Sequence, residues 1–204
     1  MKTTVVAKKL TKKFYKRDLL KVAKELPGKT LIRREGKYIY AGRIVEVEAY
    51  DGEIDRAAHS FGGKTRRNEV MFNEGGYLYV YQSYGMHFCC NVVTGVKNKG
   101  TAILIRALEP IEGVKRMIQN RFGRELLNEK EKLNLTSGPG KVCKSFGINK
   151  THSGIDLTGD EIFIANSQLK KNEVIGISRR IGITKSVQFP WRFYIKNNQY
   201  LSRK

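Results

Sequence analysis

Five strand-like segments follow one another between residues 30 and 107, separated by glycines and by polar residues of the kind found in turns. The segments are residues 30–33, 38–50, 76–81, 87–93 and 101–107. Because these strands occur in runs rather than in alternation with helices, they favour an antiparallel-rich sheet over a βαβ fold. We therefore expect an α+β protein, a single domain over residues 1–204 with a curved antiparallel-rich β-sheet and peripheral helices.

Helices are expected around this sheet. Asp18 can cap a first helix, with Pro27 and Gly28 at its end. Glu109 and Pro110 predict the start of a second helix, because proline suits a first helical turn. The side chains that recur at helical spacing on this second helix are Ile111, Val114, Met117, Ile118 and Arg121.

Residues 137–141, Ser-Gly-Pro-Gly-Lys, predict the start of another short helix, which Gly147 would end. The backbone N–H groups, the helix dipole and Lys141 could together hold an anion. Further short strands are expected at residues 161–165, 182–184 and 191–195. The charge-rich residues 123–135 are expected to form a mobile or weakly helical connection.

The net charge indicates the class of partner. There are 39 Lys and Arg residues against 19 Asp and Glu, which gives +20 at pH 7 and a pI near 10.0. Such an excess is typical of proteins that bind a polyanion, and nucleic acid is the leading candidate. The alternative is that the protein comes from an organism whose proteins are all rich in lysine, and then the charge would indicate little about its partners.

Other global features favour a cytoplasmic protein without a membrane partner. No apolar run approaches the roughly 20 residues of a membrane span, and the charged N-terminal segment lacks the apolar core of a secretory signal. Cys89, Cys90 and Cys143 are odd in number, and we expect the adjacent pair to pack as small hydrophobic side chains in a reducing compartment.

The stretch IVEVEAYDGEIDRAAHS contains candidates for acid–base chemistry. On a strand, Glu46, Glu48 and Tyr50 share one face. We interpret Glu46 as part of the solvated face of an edge strand. Glu48 lies close to Tyr50 and His59 and precedes an arginine-rich turn. A carboxylate in a positive field stays ionised and can take a proton from water.

The tyrosines of the stretch YVYQSYGM fall into two groups. Tyr81 is on a strand, and with Tyr50 and His59 it could enclose a flat ring. Tyr84 and Met86 fall in the following turn, where an apolar side chain can act as a wedge between bases. Packing of this turn against its own domain explains the stretch equally well when it is considered alone.

Two polar residues interrupt otherwise apolar strands. Arg106, in TAILIRALEP, needs a partner if it is buried, and Glu48 or a phosphate could serve. Asn91, in CCNVV, either satisfies backbone groups or contacts an edge of a bound molecule. The three histidines lack the spacing of a zinc site, so we expect no metal, and no other cofactor is expected. No GxSxG motif occurs, so nucleophilic catalysis by a serine lacks a signature.

Six short motifs occur in a fixed order along the chain: IVEVEAY, AAHS, RN followed by MF, YVYQSYGMHFCCN, LIRALEP and SGPGK. In order and spacing they resemble those of the alkyladenine or 3-methyladenine DNA glycosylases of mammals and many bacteria. The similarity covers most of residues 30–150 and resumes around residues 178–202. It implies a single DNA glycosylase domain for base excision repair. Such an enzyme hydrolyses the N-glycosidic bond of flipped-out purines, without lyase activity.

The resemblance also implies roles for individual residues. Glu48 would activate the water that attacks the sugar C1′, with Arg106 near it and near the phosphate of the target nucleotide. The residues carried over for the base pocket are Tyr50, His59, Tyr81 and Asn91. Those for intercalation are Tyr84 and Met86, and the candidates for DNA-backbone contacts are Arg67 and Lys141. His87 is a departure, because the mammalian pattern has tyrosine there.

The implied substrates are alkylated or deaminated purines in double-stranded DNA, such as 3-methyladenine, 7-methylguanine, hypoxanthine or ethenoadenine. We expect a monomer, nucleoid-associated in a bacterium or nuclear in a eukaryote. One alternative is a carbohydrate glycosidase that uses Glu46 and Glu48, but residues two apart on one strand face cannot flank a bond from opposite sides. The other alternative is a non-catalytic nucleic-acid module, which would release no base.

Overall fold

The computed structural model describes residues 8–83, 85–124 and 128–203. Its α-helices are α1 (Lys12–Tyr15), α2 (Leu19–Glu25), α3 (Val114–Phe122), α4 (Glu129–Leu133) and α5 (Pro139–Phe146). Its strands are β1 (Thr30–Glu35), β2 (Tyr38–Tyr50), β3 (Leu78–Ser83), β4 (His87–Thr94), β5 (Thr101–Glu112), β6 (Ile162–Ala165), β7 (Ile175–Ser178) and β8 (Arg192–Ile195). Short 3₁₀ helices cover Glu69–Phe72 and Lys150–His152.

The strands form one curled antiparallel sheet in the order β3-β4-β5-β2-β1-β6, and β8 joins it by pairing with β2 and with β7. The long strand β2 is its centre. It pairs with β1 near its start, with β8 over residues 46–48 and with β5 along its other edge. The structure therefore confirms the predicted α+β class and its curved, antiparallel-rich sheet.

The two faces of the sheet differ in character, because successive side chains on a strand alternate between them. Helices α2 and α5 pack on one face, where the main hydrophobic core includes Val22, Phe146, Val47, Ile103 and Ile105. Glu46, Glu48 and Tyr50 alternate with the core residues of β2 and point to the opposite face. The helices thus stabilise the sheet from one side, and polar residues gather on the other.

Two predicted helices are confirmed, with the expected residues at their ends. Asp18 caps α2, because its Oδ1 accepts hydrogen bonds from the N–H groups of Leu20 at 3.1 Å and Lys21 at 3.0 Å. Helix α5 begins at Pro139 and ends at Gly147, whose φ of +64° favours glycine.

The predicted helix start at Glu109 and Pro110 is wrong. β5 continues to residue 112, and Pro110 lies opposite Gly42 of β2, where the ladder shifts register. A proline is tolerated at such an irregularity. Helix α3 begins later, at Val114, after Gly113 with a φ of +77°. Of the expected apolar face, the buried residues are Met117 and Ile118 and the exposed ones are Ile111 and Val114.

Other predicted segments have mixed outcomes. Residues 161–165 and 191–195 contain β6 and β8, but residues 182–184 are not a strand, and β7 lies earlier in the chain. Residues 123–135 include α4, which begins with a capping box between Asn128 and Glu131. Cys89, Cys90 and Cys143 are buried and unpaired. Among the helices that the structure describes, none has the length and apolar character of a membrane span.

Candidate active site

One row of cross-strand partners places the candidate residues side by side. The register joins, in succession, Tyr79 of β3, Asn91 of β4, Leu104 of β5, Glu48 of β2 and Arg192 of β8. Residues paired in this way point to the same face of a sheet. Two positions further along their own strands, on that same face, lie Tyr50, Tyr81 and Arg106.

This face borders a cavity of about 460 Å³. Six residues singled out from the sequence line it: Tyr50, His59, Arg67, Tyr81, Asn91 and Arg106. Other lining residues include Tyr79, Cys89, Leu104, Pro139 and Ile181. The volume lies within the roughly 300–1,000 Å³ of small-molecule sites. The sheet thus brings residues from well-separated parts of the chain to one enclosed space.

Glu48 lies beneath this lining, with its side chain fully buried. Its Oε2 accepts hydrogen bonds from Tyr50 Oη at 2.8 Å and from Arg106 Nη1 at 3.1 Å, and its Oε1 accepts one from the Ile181 N–H at 2.7 Å. Burial raises the pKa of Glu48, whereas the Arg106 charge and the other two hydrogen bonds lower it. The carboxylate is therefore held in one orientation with an increased affinity for a proton.

Three aromatic rings form a continuous wall of the cavity. The centroids of His59 and Tyr81 are 4.3 Å apart with an interplanar angle of 78°, and those of Tyr79 and Tyr81 are 5.6 Å apart at 28°. Burial raises the pKa of Tyr79 to about 12 and also raises that of Tyr81. His59 is exposed at the rim, yet desolvation by the surrounding protein and the Arg67 charge lower its pKa. All three rings are therefore uncharged at neutral pH.

The ring of Tyr50 contacts a buried ion pair that sequence reasoning missed. The guanidinium of Arg180 lies 4.6 Å from the Tyr50 ring centroid and is paired with Asp55, with 2.9 Å between Arg180 Nη2 and Asp55 Oδ1. Arg180 also donates a hydrogen bond to the Ala49 carbonyl at 2.9 Å. Both Arg180 and Ile181, whose N–H donates a hydrogen bond to Glu48, lie in the run RRIGI at residues 179–183, within the part of the chain where the family similarity resumes.

Glu46 does not belong to a solvated edge, so that interpretation is wrong. Central strand β2 is paired on both sides at this point, and the Glu46 side chain is fully buried. It accepts hydrogen bonds from Arg106 Nε at 3.2 Å, Arg192 Nε at 2.7 Å and the backbone N–H of Ser202 at 2.6 Å. Arg106 therefore has two carboxylate partners, Glu48 as considered from the sequence and Glu46 in addition. Two glutamates that share one arginine do not flank a bond, which argues against a carbohydrate glycosidase.

Asn91 fits both of the alternatives considered for it. Its Nδ2 donates a hydrogen bond to the Tyr79 backbone carbonyl at 3.1 Å, and the residue also lines the cavity. The side chain is thus held by the neighbouring strand while it borders the space where a ligand would lie.

The two basic candidates for DNA contacts have different surroundings. Arg67 is exposed on the cavity rim, and its Nη2 lies 3.3 Å from the Gln82 carbonyl oxygen. Lys141 is half-buried and donates to Asn134 Oδ1 at 2.8 Å, and it is not among the lining residues. Within the described residues, no group of three or more His, Cys, Asp or Glu side chains could hold a metal ion.

The turn between β3 and β4 includes Met86, one of the two residues expected to intercalate. Gly85 has a φ of +68°, which suits a tight turn, and Met86 is 77% exposed. Tyr84 lies outside the described residues. His87 is the first residue of β4 and lies against helix α5. A Cβ atom placed on Gly140 of that helix would be only 3.1 Å from the His87 Cβ.

Comparison with known proteins gives concordant matches. The methylpurine-DNA glycosylase (MPG) family profile matches residues 13–199. A protein of Clostridium novyi (strain NT) is 45% identical over 204 residues, covering 97% of this chain and 100% of its own. Proteins of Alkaliphilus oremlandii (45%, covering 96% and 100%) and Desulfitobacterium hafniense (46%, covering 97% and 100%) are similar. All three are named as 3-methyladenine DNA glycosylases.

The family match includes every residue that lines the cavity, as well as Glu46 and Glu48. The relatives align with nearly the whole chain and over their full lengths. The chain therefore belongs to the methylpurine-DNA glycosylase family and is a base-excision-repair hydrolase that cleaves N-glycosidic bonds in DNA.

Proposed function

We propose that this enzyme excises alkylated or deaminated purines from double-stranded DNA, with 3-methyladenine as the first candidate. Hypoxanthine, 7-methylguanine and ethenoadenine are further candidates. The observation that carries the proposal is a ring-walled cavity lined by the three residues that donate hydrogen bonds to the buried Glu48. The names of the bacterial relatives support 3-methyladenine in particular.

The cavity suits a base that has left the duplex. An enzyme that acts on a base must extrude the nucleotide, and a damaged base costs less to unpair. Uncharged rings of Tyr50, His59 and Tyr81 can stack on a purine or contact its edges, and each stacking contact with a base is worth about 1–3 kcal/mol. Asn91 would lie against the edge of the purine. The enzyme would then distinguish damaged from normal purines by how easily the nucleotide leaves the duplex and by how well the base fits the cavity.

The proposed reaction is a hydrolysis with Glu48 as general base. The oxygen of a water molecule forms a bond to C1′ while the bond from C1′ to the base nitrogen breaks. The electron pair of the broken bond leaves with the base, and Glu48 takes a proton from the water. An N-alkylated purine is cationic and departs as a neutral molecule, so a positioned water and a base suffice. Hypoxanthine or ethenoadenine is neutral in the nucleotide, so it takes up one proton from solvent as it departs. Arg106 would hold Glu48 in place and lie near the nucleotide's phosphate.

Contacts at the cavity rim and beyond it complete the proposal. Tyr84 and Met86 would fill the space that the extruded nucleotide leaves, and Arg67 and Lys141 would contact phosphates. We propose one domain over residues 1–204 that acts as a monomer in the cytoplasm, on the nucleoid, and needs no cofactor.

Base release from defined duplexes tests this function. The substrates are oligonucleotide duplexes with one hypoxanthine, ethenoadenine or 7-methylguanine, together with methylated DNA from which free 3-methyladenine is measured by chromatography. Matched undamaged and uracil-containing duplexes are the controls. We expect free base and an alkali-sensitive abasic site from at least one damaged purine and from neither control. Binding of damaged duplexes without any base release would instead favour the non-catalytic nucleic-acid module.

A further inference from the structure

Glu46 lies at the centre of a buried network that the proposed reaction does not use. Besides its bonds from Arg106 and Arg192, it accepts two from Ser202, the backbone N–H at 2.6 Å and Oγ at 2.8 Å. Ser202 Oγ also lies 3.3 Å from both Nε and Nη2 of Arg106. Arg106 therefore contacts Glu48 through Nη1 and the Glu46–Ser202 pair through its other nitrogens.

The β2–β5 ladder is irregular at the residues that this network joins, with one register shift on each side of Glu46. In the β2–β5 ladder, Ile44 pairs with Leu108, Glu46 with Ala107 and Val47 with Ile105, so the register shifts on both sides of Glu46. Because of these shifts, no β2 residue lies directly opposite Arg106 in the backbone ladder. Bulges of this kind re-aim side chains next to active sites. Here the bulge brings Arg106 between the two carboxylates.

The segment that follows β8 is anchored so that Ser202 reaches this network. Leu201 is buried in a small hydrophobic cluster with Val45, Ala107 and Ile195. Arg192 holds the residue after Ser202 in place, because its Nη2 donates a hydrogen bond to the Arg203 carbonyl at 2.8 Å. The segment thus closes the network on the side away from Glu48.

We propose that Glu46 is a positioning residue for base excision and that, with Ser202, it fixes the Arg106 guanidinium so that Nη1 faces Glu48. The inference rests on the proposed function, because Glu48 must be the group whose surroundings matter. Glu46 touches neither the cavity nor the reacting atoms and acts through Arg106.

The charges around Glu48 predict how the loss of Glu46 would act. The charged or titratable groups near Glu48 are Arg106 of β5, Arg192 of β8, Tyr81 of β3, Arg180 beside Tyr50, and Glu46 and Tyr50 on its own strand. With Glu46, two carboxylates balance Arg106 and Arg192. The negative charge of Glu46 raises the pKa of Glu48, so without it the Arg106 charge acts with less opposition and Glu48 holds a proton less tightly.

The test compares Glu46→Gln and Ser202→Ala with wild type and with Glu173→Gln. Glu173→Gln is a matched control, because it also breaks an arginine–glutamate pair with β2, at Arg43, but does not touch Arg106. Single-turnover release of an alkylated purine that wild type excises, 7-methylguanine or 3-methyladenine, is measured between pH 4.5 and 8 with saturating enzyme, and duplex binding is measured alongside.

We expect Glu46→Gln to slow release about 100-fold, as small misplacements of catalytic groups do, with duplex affinity retained. The pH at which the release rate of Glu46→Gln falls in acid should be lower than that of wild type. Ser202→Ala should slow release as well, but by a smaller factor. The inference is wrong if wild type releases base while Glu46→Gln matches Glu173→Gln in rate and pH profile. If Glu46→Gln does not fold, an unchanged rate in Ser202→Ala would also overturn it. Absence of release by wild type from every damaged purine tested would instead contradict the proposed function itself.

Discussion

A fully buried carboxylate with three hydrogen-bond donors determines the chemistry at the scale of single residues. Burial disfavours the ionised form of Glu48, and the donors from Arg106, Ile181 and Tyr50 partly restore it. Because the folded-state pKa is raised, the folded protein binds this proton more tightly than the unfolded chain does. The resulting stabilisation is present below pH 4.5 and is lost as the pH rises through the raised pKa.

Glu48→Gln should abolish base release while damaged-duplex binding persists. The amide keeps the shape of the side chain but cannot accept a proton from water, and general-base catalysis contributes about 10²–10⁴-fold. Release and binding are measured on the same hypoxanthine duplex. Glu53→Gln, on the exposed loop after β2, is the control and should retain full activity. Turnover by Glu48→Gln at the wild-type rate would remove Glu48 from the mechanism.

The wild-type enzyme should lose activity in acid above the ordinary range of a glutamate. Glu48 must be ionised to accept a proton, and its pKa is raised above 4.5. The release rate should therefore fall as the pH is lowered through a midpoint above 4.5. Single-turnover rates on an alkylated purine, whose departure needs no added proton, would show this. A midpoint below 4.5 would contradict the raised pKa.

Tyr84→Ala and Met86→Ala should weaken base flipping without lowering the melting temperature. A side chain that fills the gap in the duplex supports the extruded state, and the loss of one stacking contact costs about 10-fold in affinity. Ethenoadenine fluorescence reports extrusion directly. Val96→Ala, an exposed residue of the turn between β4 and β5, is the control. A large fall in melting temperature for Met86→Ala would show that it is part of the core.

At the scale of elements, strand pairing overrides local helix signals. Glu109 and Pro110 are typical of a helix start, yet the ladder with β2 continues through them. This pairing extends β5 to residue 112, so α3 begins only at Val114. Glu109 then lies opposite Arg43, and Arg43 also pairs with Glu173 of the loop between β6 and β7.

The Arg43–Glu173 pair should make stability depend on pH. The hydrogen bonds from Arg43 lower the pKa of Glu173 from 4.5 to about 2. The contribution of this pair to the free energy of unfolding is present above pH 4.5 and is lost as the pH falls toward 2. We expect about 1–2 kcal/mol, because water screens part of the interaction. Urea unfolding between pH 6 and 3 should show the difference between wild type and Glu173→Gln shrinking with acid. Glu112→Gln, an exposed glutamate at the end of β5, should show no such trend.

The whole molecule carries a charge of +20, and this excess suits DNA as the partner. Each phosphate that the protein neutralises contributes about −0.9 to the slope of log K against log salt concentration. Arg67→Ala should make the slope less steep by about one if Arg67 contacts a phosphate. Lys37→Ala removes a similar charge in the turn between β1 and β2, far along β2 from Glu48, and should leave the slope unchanged. Equal slopes for both variants would remove Arg67 from the interface.

Alternation along the strands and the order of the motifs were readable without a structure. They predicted the antiparallel-rich sheet, the shared face of Glu48 and Tyr50, and the family. These properties are local, since they follow from the two-residue period of a strand and from short runs of residues. The ends of α2 and α5 were predictable for the same reason, because caps depend on neighbouring residues.

Tertiary structure alone decided which polar residues are buried together. Glu46 and Glu48 look alike in sequence, and Glu46 was assigned to solvent because nothing local shows that β8 covers that edge of β2. The partners of these carboxylates come from β5, β8 and the segments around residues 180 and 202. The sequence therefore determined the sheet and the candidate base. The burial of two carboxylates around Arg106 depended on long-range strand pairing, because only pairing can exclude water from charges so distant along the chain.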